Sequence, residues 1–556
     1  MGFDTSLIDR RSVLGSLLAG AATLALPKGA EGQGAPAQDP ALALTVEDIA
    51  ILEKAHGLKF TEAERRAIVQ SITTHRREFE ALRKLPLDNS VAPAFVFVPQ
   101  GRQSAPGRKD DVRVKPTANG IGMASTDDIA FMPVTDLAEA IRKKDISSLD
   151  LTALYLQRLK KYGGPLLNVI SLTEERAMKA AKRADEELAR GKRRGPLHGI
   201  PFAVKDLFAA KGHPTTWGAE PYQNQVLDYD AAVVEKLEAA GAILCAKTSL
   251  GALAMNDHWF KGRTKNPWDP TQGSSGSSAG SSSAMAAGLV AFTIGTETLG
   301  SIMSPSHRCR VTGLRPTFGR VSRYGAMALS WTMDKAGPIC RTAQDCALVL
   351  AAIHGADPRD PGTVDRPFRF RPDLDLSKLK IAYLDGDQGL AEHLEVLKSL
   401  GAKPVPVKFT APYQGATTLL SVEAAAAFDE LTRTGDVNSI TESAWANIFR
   451  GHRFLPGVEF IEHMRARTLV MRKFEEEFGD YDAIVASDRG GSLLLTTNLT
   501  GHPQLYIPMG VTTAGAGRGL SIIGRLYDEG TILGIGARVQ QATNYWKLRP
   551  DLTKLA

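Results

Sequence analysis

The segment "QGSSGSSAGSSSAMAAGLVAFTIG", residues 272–295, constrains this chain more than any other. Gly/Ser-rich stretches usually serve as flexible linkers. Here the serines run without a break into small apolar residues that have no polar face. A linker does not feed a core element that way, so a buried helix is expected from "AMAAGLVAFTIG". Two other readings fail on context. A phosphate-cradling loop would end in Gly-Lys-Ser/Thr, and this run does not. Gly276 to Gly280 formally spells G-x-S-x-G around Ser278, but a nucleophile elbow follows a strand. The preceding "KNPWDPTQGSS" is polar and interrupted by proline.

A buried serine-rich helix needs a large core around it. The chain has 556 residues, 43% hydrophobic and 23% charged, a globular composition long enough to bury one. "GIPFAVKDLF" (199–208), "AILCAKTSL" (242–250), "KIAYLDG" (380–386), "YDAIVAS" (481–487) and "QLYIPMGV" (504–511) are short, apolar and bounded by turn residues, as buried strands are. Helical stretches lie between most of them, and others precede them, such as "EERAMKAAKRADEELARG" and a helix capped at Ser147 or Ser148. This alternation implies an α/β fold with a mostly buried sheet, in one large domain over residues 128–556. Ahead of it, residues 38–127 read as a helical arm and connecting loop. The arm spans 45–86, and its second helix opens with Thr61 and Glu64 at capping-box spacing.

Residues 1–37 read as a signal peptide and linker. Arg10-Arg11 precede an apolar, Gly/Ala-rich run from Val13 to Leu26, too short for a membrane span. The paired arginines resemble a twin-arginine export signal, so a periplasmic or secreted location is expected, without stable membrane insertion after processing. An uncleaved anchor is the alternative. The net charge of +6 is mild for this length, and no basic block alternates with aromatics, so nucleic acid is not an expected partner. Cys245, Cys309, Cys340 and Cys346 form no C-x-x-C. Buried free thiols are expected, with a Cys340–Cys346 pair left open. No histidine spacing suggests a metal.

Three features bear on chemistry. Lys205 ends an apolar strand, where a charged lysine is costly unless paired or neutral. Its neighbour Asp206 offers the bland reading, a salt bridge. The serine run is the second feature. The third is Ser301, which follows Leu299 and Gly300, whose N–H groups could point into a cavity, with Gly300 permitting the conformation an oxyanion loop requires. A serine hydroxyl needs an adjacent base. Lysine serves only when neutral, so its usual pKa of about 10.4 must fall by roughly three units.

At this point the sequence resembles the amidase signature family. "GPLHGIPFAVKDLF" matches its lysine motif, "SGSSAGSSSAMAAG" its Gly/Ser signature, and "GTETLGSIMSP" the motif of the acylated serine. The resemblance implies Lys205 as base, Ser277 as bridging serine on a cis peptide, and Ser301 as nucleophile. It also implies Thr298, Leu299 and Gly300 as oxyanion donors, with Met255 and Ser278 at the substrate. The family fold is a twisted mixed sheet with helices on both faces. No cofactor or metal is implied, and the partner is a small-molecule amide. Segments 212–230 and 408–470 are expected to carry pocket loops, and a homodimer is left open. The chain departs from the family at Glu297 (usually Asp), Leu299 (usually Gly) and Met303 (usually Arg). Arg308 or Arg310 is expected to replace the missing cation beside Glu297. The function expected is an exported serine amidohydrolase. The alternatives are a glutamine-hydrolysing component of a tRNA-dependent amidotransferase, or a catalytically silent binding protein on this fold.

Overall fold

The computed structural model describes residues 44–82, 84–85, 110–117, 122, 124–511 and 517–555. The export signal expected at 1–37 lies outside these residues, as do residues 86–109 of the connecting loop. Among the described residues, no helix is long and apolar enough to cross a membrane.

Eleven strands form one mixed sheet. They are β1 (Val169–Leu172), β2 (Pro201–Lys205), β3 (Ile243–Thr248), β4 (Phe292–Glu297), β5 (Thr312–Arg315), β6 (Lys335–Cys340), β7 (Ile381–Leu384), β8 (Val405–Val407), β9 (Ala483–Ser487), β10 (Gln504–Val511) and β11 (Gly517–Gly524). The order across the sheet is β8-β7-β9-β11-β10-β5-β6-β4-β2-β3-β1. β2 runs parallel to both β3 and β4, and β4 runs antiparallel to β6. Every residue of β2, β3 and β6 is buried. That explains their continuous apolar runs, because strands covered on both faces lose the alternation of half-exposed ones. All five strands expected from the sequence form, although the first stops at Lys205 rather than Phe208.

The serine run makes α1 (Ala279–Ala286), whose eight residues are all buried. It packs on β2, β3, β4 and β6. Small residues are required there. A Cβ on Gly280 would lie 2.4 Å from both the Asn168 carbonyl oxygen and the Ser249 nitrogen. Two of its three serines, Ser281 and Ser283, bury their hydroxyls with partners, which removes most of the cost of burying them, whereas the Ser282 hydroxyl has no partner among the described residues. Ser281 Oγ lies 2.8 Å from Thr248 Oγ1, and Ser283 donates to the Lys265 carbonyl at 2.9 Å. The expected helix is shorter than "AMAAGLVAFTIG". The chain turns at Gly288 (φ 64°), and Phe292–Glu297 becomes β4. Glycine ends the helix, and Phe, Thr and Ile favour the extended chain.

The chain divides into two compact units. One holds the described residues of the arm with 410–438 and 444–474, and the other holds the sheet. In the first, Thr61 and Glu64 form the expected capping box, and Ile49, Phe60, Ile68 and Ile72 make an apolar cluster. The segment expected to supply pocket loops at 408–470 is largely helical, including Thr418–Ala427 and Trp445–His452. All four cysteines are free and buried.

Replacing Gly280 by Ala should therefore destabilise the sheet unit by about 1–3 kcal/mol, the usual penalty for overpacking. Circular-dichroism melting should show a lower transition temperature. An unchanged transition would contradict the close approach of α1 to residues 168 and 249.

Candidate active site

Lys205 is the last residue of β2, and successive strand side chains leave on opposite faces. Lys205 and Asp206 therefore part company. Asp206 pairs with Lys247 at 2.7 Å, both side chains fully buried, and accepts the Thr216 N–H at 2.7 Å. The neighbour salt bridge does not form. Instead the Lys205 Nζ, fully buried, donates to Ser277 Oγ at 2.8 Å and to Thr296 Oγ1 at 2.9 Å. Burial lowers the lysine to about 7, against the raising pull of Asp334 and Glu297. Relative to water, that shift is a penalty of roughly 5 kcal/mol on the charged amine, so a large neutral fraction is present near pH 7.

The Gly276–Ser277 peptide is cis. Gly276 has no room for a side chain, because a Cβ would sit 1.8 Å from the Asn256 carbonyl oxygen. The preceding Ser275 donates its N–H to Asp257 Oδ2 at 2.9 Å. These contacts fix the turn that aims Ser277 at the lysine.

Ser301 follows Gly300, which takes the left-handed conformation (φ 80°) its position requires. Ser301 is 8% exposed. Among the described residues, its hydroxyl and the N–H groups of Thr298, Leu299, Gly300 and Ser301 bond to no protein group. No hydrogen bond joins Ser277 Oγ to Ser301 Oγ. The two loops meet through the Ser278 N–H, which donates to the Ser301 carbonyl at 3.1 Å. The Ser278 hydroxyl donates to the Thr296 carbonyl at 3.0 Å and accepts the Thr296 N–H at 3.2 Å. Both bonds tie its side chain to β4.

Glu297 anchors the turn from within the core. Its Oε2 accepts the N–H groups of Ile302 and Met303, and its Oε1 accepts from Arg315 Nη1 at 2.7 Å and Asn498 Nδ2 at 2.9 Å. Burial raises this carboxyl, but Arg315, Lys335 and the Met303 N–H outweigh it and hold it at about 2. The cation expected from Arg308 or Arg310 is Arg315 instead. Arg308 reaches Gln272, and Arg310 stacks 4.3 Å from the centroid of Trp268. Arg315 lies two strands away from β4, a distance in space that neighbouring residue numbers do not reveal.

A cavity of about 390 Å³ opens beside Thr296 and Thr298. Ala254 lines it, and the expected wall Met255 does not. Left-handed turns at Leu253, Ala254 and Asn256 rotate the neighbour inward. Met255 Sδ lies 3.9 Å from Ser443 Oγ instead. Thr296, Arg315, Asp334 and Asn498 were not singled out from sequence. Each carries an ordinary polar residue type without a local pattern, and only the fold brings them together. Among the described residues, no group of three or more His, Cys, Asp or Glu is placed to hold a metal ion.

The family model described as Amidase matches residues 150–487. The chain is similar to the A-type subunit of glutamyl-tRNA(Gln) amidotransferase from Thioalkalivibrio sulfidiphilus, 32% identical over 75% of this chain and 98% of that one. Its counterpart from Chloroflexus aurantiacus is 33% identical over 76% and 99%. Among solved structures, the peptide amidase of Stenotrophomonas maltophilia aligns at a TM-score of 0.67 with 30% identity, covering 75% of this chain and 98% of its own. The fold and its lysine–serine site define an amidase-type α/β protein. The chain belongs to the amidase signature family.

Arg315→Met should leave Glu297 buried without its cation, at a cost of about 3–5 kcal/mol. Urea denaturation should show this loss, whereas Arg308→Met and Arg310→Met should unfold within about 1 kcal/mol of wild type. Equal losses at all three positions would reject Arg315 as the partner.

Proposed function

We propose that the chain is a serine amidohydrolase that cleaves carboxamide C–N bonds through an acyl-enzyme on Ser301. The observation that carries this reading is the 2.8 Å bond from a fully buried Lys205 amine to Ser277, with no carboxylate bonded to that amine. Neutral Lys205 accepts the Ser277 proton while Ser277 accepts that of Ser301. Ser301 Oγ then bonds to the carbonyl carbon. The N–H groups of Thr298, Leu299, Gly300 and Ser301 face the developing oxyanion, the largest usual source of stabilisation in such steps. The lysine proton returns through Ser277 to the leaving nitrogen as the C–N bond breaks. Water reverses the sequence, releasing the acid and restoring Ser301. The relay requires the Ser277–Ser301 gap to close on substrate binding, as ligand-free sites often hold such bonds long.

Intact mass after fluorophosphonate treatment should show one adduct on wild type and none on Ser301→Ala. Lys205→Ala should label at least about a hundredfold more slowly, the usual scale of lost base catalysis. Because only the neutral amine is a base, the labelling rate should rise with pH through about 7 and level off above it. An adduct that persists in Ser301→Ala, or a rate that falls as pH rises through 7, would sink the assignment.

The second reading is a component of a tRNA-dependent amidotransferase, favoured by the two relatives of that kind, which this chain covers almost end to end. A stable heteromeric partner or tRNA co-purifying with the chain would support it. We also propose that residues 1–37 direct twin-arginine export, on the strength of Arg10-Arg11 and the apolar run after them. Fractionated cells should hold the mature chain in the periplasm. Arg10→Lys with Arg11→Lys should leave an unprocessed precursor in the cytoplasm; equal processing of both would reject the signal.

A further inference from the structure

The cavity beside Thr296 and Thr298 has charged residues on its walls, yet each is already engaged. Arg323 gives Nε and Nη2 to Asp360 at 2.9 and 2.8 Å and Nη1 to the Trp331 carbonyl at 2.6 Å. Arg359 is held by Asp357 and Glu235 at 3.0 and 2.6 Å and lies 3.9 Å over the Tyr324 ring. Asp334 accepts from the Thr298 hydroxyl at 2.6 Å and from the N–H groups of Leu329 and Ser330 at 2.8 and 2.9 Å. Lys335 donates to Asn498 Oδ1 at 2.8 Å and stands opposite Glu297 across the β4–β6 pair. The rest of the wall includes Leu207, Ala254, Met327, Leu329 and Trp331.

A charged group entering this space would lose water and meet no uncommitted counter-charge, which is the costly way to bury a charge. An apolar group would only displace water from apolar walls. Its volume of about 390 Å³ is within the usual range for a small-molecule site.

We propose that this cavity receives a neutral, apolar alkyl or aryl substituent of the amide, and that the Arg323–Asp360 pair, beside an Arg359 already held by Asp357 and Glu235, sets the preference by cancelling a guanidinium that would otherwise bind a carboxylate. The proposal rests on the serine amidohydrolase reading. It excludes glutamine as the preferred substrate, because both the α-ammonium and the α-carboxylate would go unmatched. Asp360 acts here as a specificity determinant and takes no part in bond making.

Ammonia release from a set of primary amides tests it on the purified full chain, with fluorophosphonate labelling of Ser301 run in parallel. The set is hexanamide, 3-phenylpropanamide, adipamic acid, 6-aminohexanamide and glutamine. The two neutral amides should exceed the three charged ones in kcat/KM by at least about tenfold. Asp360→Asn, which keeps the shape but frees Arg323, should raise adipamic acid relative to hexanamide by about tenfold without doing so for 6-aminohexanamide. Turnover of glutamine or adipamic acid equal to that of 3-phenylpropanamide would overturn the proposal. So would no turnover of any amide while Ser301 still labels, and the hydrolase reading would then stand. Loss of Ser301 labelling itself would overturn that reading and this one with it. Should Asp360→Asn fail to fold, the wild-type ranking decides.

Discussion

A neutral amine in the middle of the core is the condition on which this structure turns. Lys205 ends β2 with no exposure to solvent, and burial brings it to about 7. An acid bonded to it would restore the charge and remove the base. Three carboxylates lie close enough to matter, and each is occupied elsewhere. Asp206 belongs to Lys247, Asp334 to Thr298 and two loop N–H groups, and Glu297 to Arg315 and Asn498. The ion pairs around the site are thus not chiefly stabilising devices, since buried pairs often contribute little net stability. They keep carboxylates from bonding to one nitrogen, although Asp334 and Glu297 still pull its pKa upward.

The same logic accounts for the altered nucleophile turn. Glu297 is one methylene longer than aspartate, and it spans from the Ile302 and Met303 N–H groups to a guanidinium on β5. Met303, fully buried, packs with Ile302, Cys309 and Tyr506 where a cation would have no acid of its own. With methionine at 303, the turn keeps its anchor through Glu297 and the Arg315 guanidinium on β5.

Much of this was legible in the chain. Period and turn signals located five strands, and the motifs pointed to Lys205 and Ser277, whose side chains the fold brings within 2.8 Å, and to Ser301, whose carbonyl accepts the Ser278 N–H. Two expectations failed for local reasons. The Lys205–Asp206 bridge ignored the alternation that sends adjacent strand residues apart. The helix from "AMAAGLVAFTIG" ignored Gly288, after which Phe292, Thr293 and Ile294 favour a strand. Others failed because the signal is not local. Nothing near Arg315 in sequence says that it meets Glu297, and nothing near Ala254 says that three left-handed residues will put it, not Met255, on the cavity wall.

This separates two kinds of information in the site. The lysine and serines must stand within hydrogen-bond reach of one another, so their residue types and spacings are narrow, and a motif carries them. The cavity has no such demand. Its character comes from whether Arg323 has Asp360 beside it, and those residues lie 37 positions apart in chain order. A single exchange of Asp360 for a neutral residue would turn an apolar pocket into one holding an unmatched cation, without touching Lys205, Ser277 or Ser301. On the proposal made above, the charge balance of the wall, rather than the signature itself, discriminates among amides.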